Sequence, residues 1–74
     1  MRIYVDFEDK NSSENFLLQD ESTVQDLIEF IGSINPNKVT IVLNGKDIDT
    51  AELSNIILED GDRVSILTKK YKSA

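Results

Sequence analysis

There is no cysteine and no histidine among these 74 residues. The first absence removes disulfides, thiolate nucleophiles and thiolate metal sites. The second removes the usual general base at neutral pH and the commonest metal ligand. Glycine occurs only three times, too thinly for a phosphate cradle; Gly45 and Gly61 read as turn residues and Gly32 as a helix stop. No apolar run approaches the roughly 20 residues needed to cross a bilayer. Met1-Arg2-Ile3-Tyr4 leads directly into a strand pattern and lacks the shape of a signal peptide. The expectation is a soluble, cytoplasmic protein that is not an enzyme and uses no cofactor or metal.

What is present suffices for one small core. Hydrophobic residues make up 39% of the chain, and an enzyme-sized pocket would hollow out a domain of this length. The net charge is −6, from 8 basic and 14 acidic residues. Three of the basic residues are Lys69, Lys70 and Lys72, so residues 1–68 hold five basic against fourteen acidic residues, a net −9. Such a body repels phosphate backbones, which excludes nucleic acid as the expected partner. It suits a protein with a basic docking face, or it simply keeps a small domain in solution.

Ile3, Val5 and Phe7 alternate with Tyr4 and Asp6, the pattern of a half-buried strand. Residues 9–14 read as a polar turn, and Phe16-Leu17-Leu18 as a strand returning beside the first. Either Ser22 with Gln25 or Thr23 with Asp26 has capping-box spacing. Val24, Leu27, Ile28 and Ile31 then build one helical stripe with Phe30 on its flank. Gly32 ends the helix, Ile34 folds back on its last turn, and Pro36 prevents continuation. Val39, Ile41 and Leu43 share one face of a third strand. Asn44-Gly45 turns the chain into a short strand at Lys46-Asp47-Ile48. Residues 52–57 read as an irregular or one-turn helical connection, with Leu53 and Ile57 plugging the core. Asp60-Gly61-Asp62 turns into a last strand, with Val64 and Ile66 inward and Ser65 and Leu67 outward.

This order predicts an α+β domain over residues 1–68: a mixed four- to five-stranded sheet with one helix packed on one face, the β-grasp (ubiquitin-like) arrangement. The two long apolar strands at the ends of the domain lie together at its centre. Residues 69–74 are expected to form a flexible basic tail.

Three blocks resemble the ThiS/MoaD sulfur carriers, a ubiquitin-like family. Thr23-Val24-Gln25-Asp26-Leu27-Ile28 is similar to their helix start, Val42-Leu43-Asn44-Gly45-Lys46 to their central hairpin, and Leu58-Glu59-Asp60-Gly61-Asp62-Arg63-Val64 to their final turn. The resemblance implies a C-terminal Gly-Gly that an activating enzyme adenylates, followed by conversion to a thiocarboxylate that donates sulfur to a thiamine or molybdopterin precursor. Glycine suits that task because a backbone without Cβ passes a narrow channel. Aligned from the Asp-Gly-Asp turn, the glycine pair falls near Lys72-Ser73. The expectation is therefore a protein that holds a partner instead of carrying an atom. A carrier working through the Ala74 carboxylate, or after trimming, is the alternative.

Two acidic clusters, Asp47, Asp49 and Glu52, and Glu59, Asp60 and Asp62, could bind a divalent cation or could brace turns and cap helices. The ordered ligand set of a calcium loop is absent, which favours the second reading. Lys70 and Tyr71 could grip an acidic partner or could belong to a frayed terminus. Tyr4, Val42 and Leu67 point to the sheet face opposite the helix and form the expected protein-binding surface, ringed by Thr40, Ser65 and Asp6. The expected state is a monomer that binds a protein, an adenylating or synthase enzyme if the carrier alternative holds, with no nucleic acid or membrane.

Overall fold

A computed structural model describes residues 1–68. They form a five-stranded mixed sheet in the order β2-β1-β5-β3-β4. Its strands are β1 (Arg2–Phe7), β2 (Ser12–Leu17), β3 (Val39–Leu43), β4 (Lys46–Ile48) and β5 (Arg63–Thr68), with a single helix α1 (Val24–Ile31) between β2 and β3. β1 and β5 run parallel at the centre, and every other pairing is antiparallel. The expected four to five strands are five, and the two apolar strands are neighbours as the pattern requires.

Helix α1 starts where Thr23 and Asp26 close a reciprocal cap. The Asp26 amide donates to Thr23 Oγ1 at 3.1 Å, and the Thr23 amide donates to Asp26 Oδ2 at 2.9 Å. Of the two spacings the sequence offers, this one forms; Ser22 instead donates to the Gln19 carbonyl at 2.7 Å. The helix stops at Gly32, whose φ of +80° is open to glycine without a Cβ penalty. Val24, Leu27 and Ile28 meet Ile3, Val5 and Phe7 from β1, Ile41 from β3, and Val64 and Ile66 from β5 in one core.

Two expectations change. The polar residues Ser12, Ser13 and Glu14 are not turn but the first half of β2, paired with Phe7, Asp6 and Val5. An edge strand needs only main-chain bonds on one side, so polar side chains do not prevent it. Ile57 is not a core plug: it is 60% exposed, whereas Leu58 is buried. The spacing from Leu53 to Ile57 suits a continuing helix, but the 3-10 turn Thr50–Asn55 ends first. The extended chain that follows is tied to the start of α1, with Val24 donating to the Ile56 carbonyl and Leu58 to the Ser22 carbonyl. Strand alternation then turns Ile56 and Leu58 inward and Ile57 outward.

Candidate interaction face

The helix covers one side of the sheet and leaves the other to solvent. Cross-strand register fixes what that open face displays. Ser13, Asp6, Ser65, Val42 and Asp47 line up across all five strands. One step along lie Asn15, Tyr4 and Arg63, and on the other side lie Leu67 and Thr40. Tyr4, Val42 and Leu67 thus occupy three neighbouring strands on one face. They stand around Ser65 and are not side by side: Val42 is opposite Ser65, Leu67 is two residues further along β5, and Tyr4 is across β5 from Val42. Tyr4 is 37% exposed, while Val42 and Leu67 are half-buried.

An ionic group crosses this face. Arg63 Nη1 lies 2.8 and 2.9 Å from the two carboxylate oxygens of Asp6. Its guanidinium carbon sits 5.5 Å from the centre of the Tyr4 ring, within cation–π range. Ser13 Oγ donates to the same carboxylate at 2.6 Å. The Ser13 hydroxyl, and after it the Arg63 guanidinium, hold the Asp6 carboxyl below its usual value of 3.8. The pair is solvent-exposed, so its value lies less in stability than in fixing the Arg63 side chain against Tyr4.

Sequence reading singled out Tyr4, Val42 and Leu67 but not Arg63. Its signal was available, since the alternation that sends Ser65 and Leu67 outward also sends Arg63 outward. Leu17, 67% exposed and opposite Arg2, joins the same face. It was missed because three consecutive apolar residues, Phe16-Leu17-Leu18, leave the alternation of that strand ambiguous. Lys70, Tyr71, Lys72 and Ser73 lie outside the described residues.

The acidic clusters do structural work at the ends of the sheet. Asp62 accepts the Asn44 side-chain amide at 3.0 Å and the Glu59 main-chain N–H at 2.8 Å. Asp60 accepts the Arg2 N–H at 2.7 Å, and Asp49 accepts the Ala51 N–H at 3.3 Å. Among the described residues, no group of three or more acidic side chains is placed to hold a metal ion. None of their helices is long and apolar enough to cross a membrane.

The ThiS family model matches residues 2–69. No curated protein matches the sequence. Among solved structures, the thiamine biosynthesis protein ThiS from Geobacter metallireducens superposes with a TM-score of 0.77 at 19% identity, covering 99% of this chain and all of its own. A chain from the complex of subunits 1 and 2 of the molybdopterin-converting factor of Helicobacter pylori 26695 gives 0.67 at 24% identity, covering 99% of this chain and 100% of that one. A ubiquitin-like protein from Caldiarchaeum subterraneum gives 0.61 at 17% identity, over 96% and 99% of the two chains. At these identities the superpositions establish the β-grasp fold, and the family match carries the kinship.

Proposed function

The chain belongs to the ThiS family of ubiquitin-like sulfur carriers, and we propose that it works by holding a protein partner non-covalently against the open face of its sheet. One observation carries this reading: Tyr4, Val42 and Leu67 stand around Ser65 on three neighbouring strands of that face, beside an Arg63 fixed by Asp6. Apolar contacts next to a pre-oriented charge are the composition of a specific, non-obligate interface. Arg63 offers a partner carboxylate a guanidinium already held in place. Lys70 and Tyr71 serve as auxiliary binding residues. The partner is a protein, an adenylating or synthase enzyme if the chain carries sulfur, and the chain is a cytoplasmic monomer that supplies no catalytic group.

A second reading, covalent sulfur carriage, is favoured by the extent of the family match, which reaches residue 69 and so includes the whole domain that would present a reactive end. The two readings separate at Lys72 and Ser73, which stand where the family resemblance places glycines.

One experiment distinguishes them. The chain is mixed with a ThiS-activating adenylating enzyme, ATP and a sulfide source, and complex formation, ATP–pyrophosphate exchange and the intact mass of the chain are followed. Non-covalent holding gives a complex without exchange, and Leu67→Asp abolishes the complex while the domain stays folded. Exchange together with a thiocarboxylate mass shift establishes the carrier. A complex untouched by Leu67→Asp removes the open face from the account.

A further inference from the structure

The two edges of the sheet differ. β4 is three residues long and exposes Lys46 and Asp47, the short, charged form that blocks pairing with another chain. β2 is six residues long, contains neither proline nor lysine, and has Glu14 as its one charge. The Leu18 N–H donates to the Met1 carbonyl. By antiparallel alternation Ser12, Glu14 and Phe16 then pair with β1, while Ser13, Asn15 and Leu17 direct their N–H and C=O groups away from it. Among the described residues, the outer edge of β2 is an unused ladder.

Beside that ladder runs a groove against α1, lined by Leu17, Leu18, Gln19, Ser22, Asp26 and Phe30. Phe30 is 61% exposed, yet its ring is held edge-on to Phe16 with centroids 5.8 Å apart. Leu17 is 67% exposed. The surroundings are mostly acidic: residues 11–37 contain Glu14, Asp20, Glu21, Asp26 and Glu29 and no lysine or arginine. Among the described residues, the one cation at the groove is the Met1 α-ammonium, which donates to the Leu18 carbonyl at 2.8 Å and lies 3.8 Å from Asp20. Arg2, opposite Leu17, shares the open face with it, so Leu17 stands where that face meets the groove, and Arg2 itself does not line the groove.

We propose that the outer edge of β2 and this groove form a second docking surface, which meets the open sheet face only at Leu17. It takes an extended basic segment of a protein partner as a sixth strand. The unused main-chain groups supply the ladder, Leu17 and Phe30 receive one apolar or aromatic side chain, and the predominantly acidic rim selects lysine and arginine on either side of it.

The test uses a synthetic peptide that alternates lysine and valine about a central tyrosine, titrated into isotope-labelled protein and followed by amide chemical shifts. A matched peptide carries glutamate in place of lysine. The lysine peptide is expected to shift Ser13, Asn15, Leu17 and the residues around Phe30, with binding that weakens as salt is added. Phe30→Ala, at an exposed site, and Asn15→Pro, which removes an N–H facing away from β1, each weaken binding by about tenfold or more. If Asn15→Pro fails to fold, Phe30→Ala decides alone. Equal binding of the glutamate peptide overturns the proposal. So do shifts confined to Tyr4, Val42 and Leu67, unchanged binding by Phe30→Ala, or no shifts at millimolar peptide. None of these outcomes bears on the open-face reading, which Leu67→Asp tests separately.

Discussion

Asn44 and Asp62, eighteen residues apart, tie the hairpin between β3 and β4 to the turn that starts β5. The Asn44 amide donates to Asp62 Oδ1 at 3.0 Å, while its carbonyl oxygen accepts the Arg63 N–H at 2.9 Å. Its backbone also sits at φ +50°, where few residues other than glycine are comfortable. The side chain therefore joins two turns that the sequence presents as separate. Asn44→Gly keeps the backbone geometry and loses the bridge, at an expected cost of about 0.5–1.5 kcal/mol. Asn44→Ala also places an alanine at positive φ and costs about 1–2 kcal/mol more. Urea unfolding of the two variants measures the difference, and equal values would mean that the backbone position imposes no strain.

Asp6 gives the open face its pH dependence. Its folded-state pKa is depressed, so the stability it contributes is present above the unfolded value near 3.8 and is lost as pH falls through the lower folded value. The Ser13 hydrogen bond is the largest single cause, and Arg63 adds both a hydrogen bond and its charge, so Ser13→Ala and Arg63→Gln should each raise the Asp6 pKa. Carboxyl carbon shifts followed by NMR across the acid range check both, and an unmoved Asp6 in either variant would remove that group from the account.

Ile57 and Leu58 are adjacent and chemically alike, yet they should behave oppositely. Leu58→Ala opens a cavity at a site 2% exposed and costs about 2–5 kcal/mol, a large fraction of what a domain this size has. Ile57→Ala, at a site 60% exposed, should change stability by about 0.5 kcal/mol or less. Thermal unfolding of the pair tests the extended geometry of residues 56–58 directly, because a continued helix would reverse the result.

Glu21 has φ +71° in the turn where the Ser22 N–H donates to the Gln19 carbonyl. A glycine meets this backbone requirement without a Cβ clash. Glu21→Gly should therefore stabilise the protein by about 0.5–1 kcal/mol, and Glu21→Ala should not. A gain of equal size in both variants would assign the effect to removal of a charge.

By itself, the sequence determined the elements and the order in which they pack. The alternation of Ile3, Val5 and Phe7, the stripe of Val24, Leu27 and Ile28, and the glycines at 32, 45 and 61 are local signals, since periodicity and positive φ act within a few residues. From them the β-grasp fold and the outward side of Tyr4, Val42 and Leu67 were both legible. Tertiary structure alone decided what depends on partners far along the chain. Ser12 to Glu14 became strand because β1 offered main-chain groups to pair with. Ile57 faced outward because residues 56–58 are pinned to the start of α1. Arg63 acquired its orientation from Asp6, 57 residues away. Register and long-range hydrogen bonds carry no local signature: identical polar residues make a turn, an edge strand or a bridge according to what the fold brings beside them.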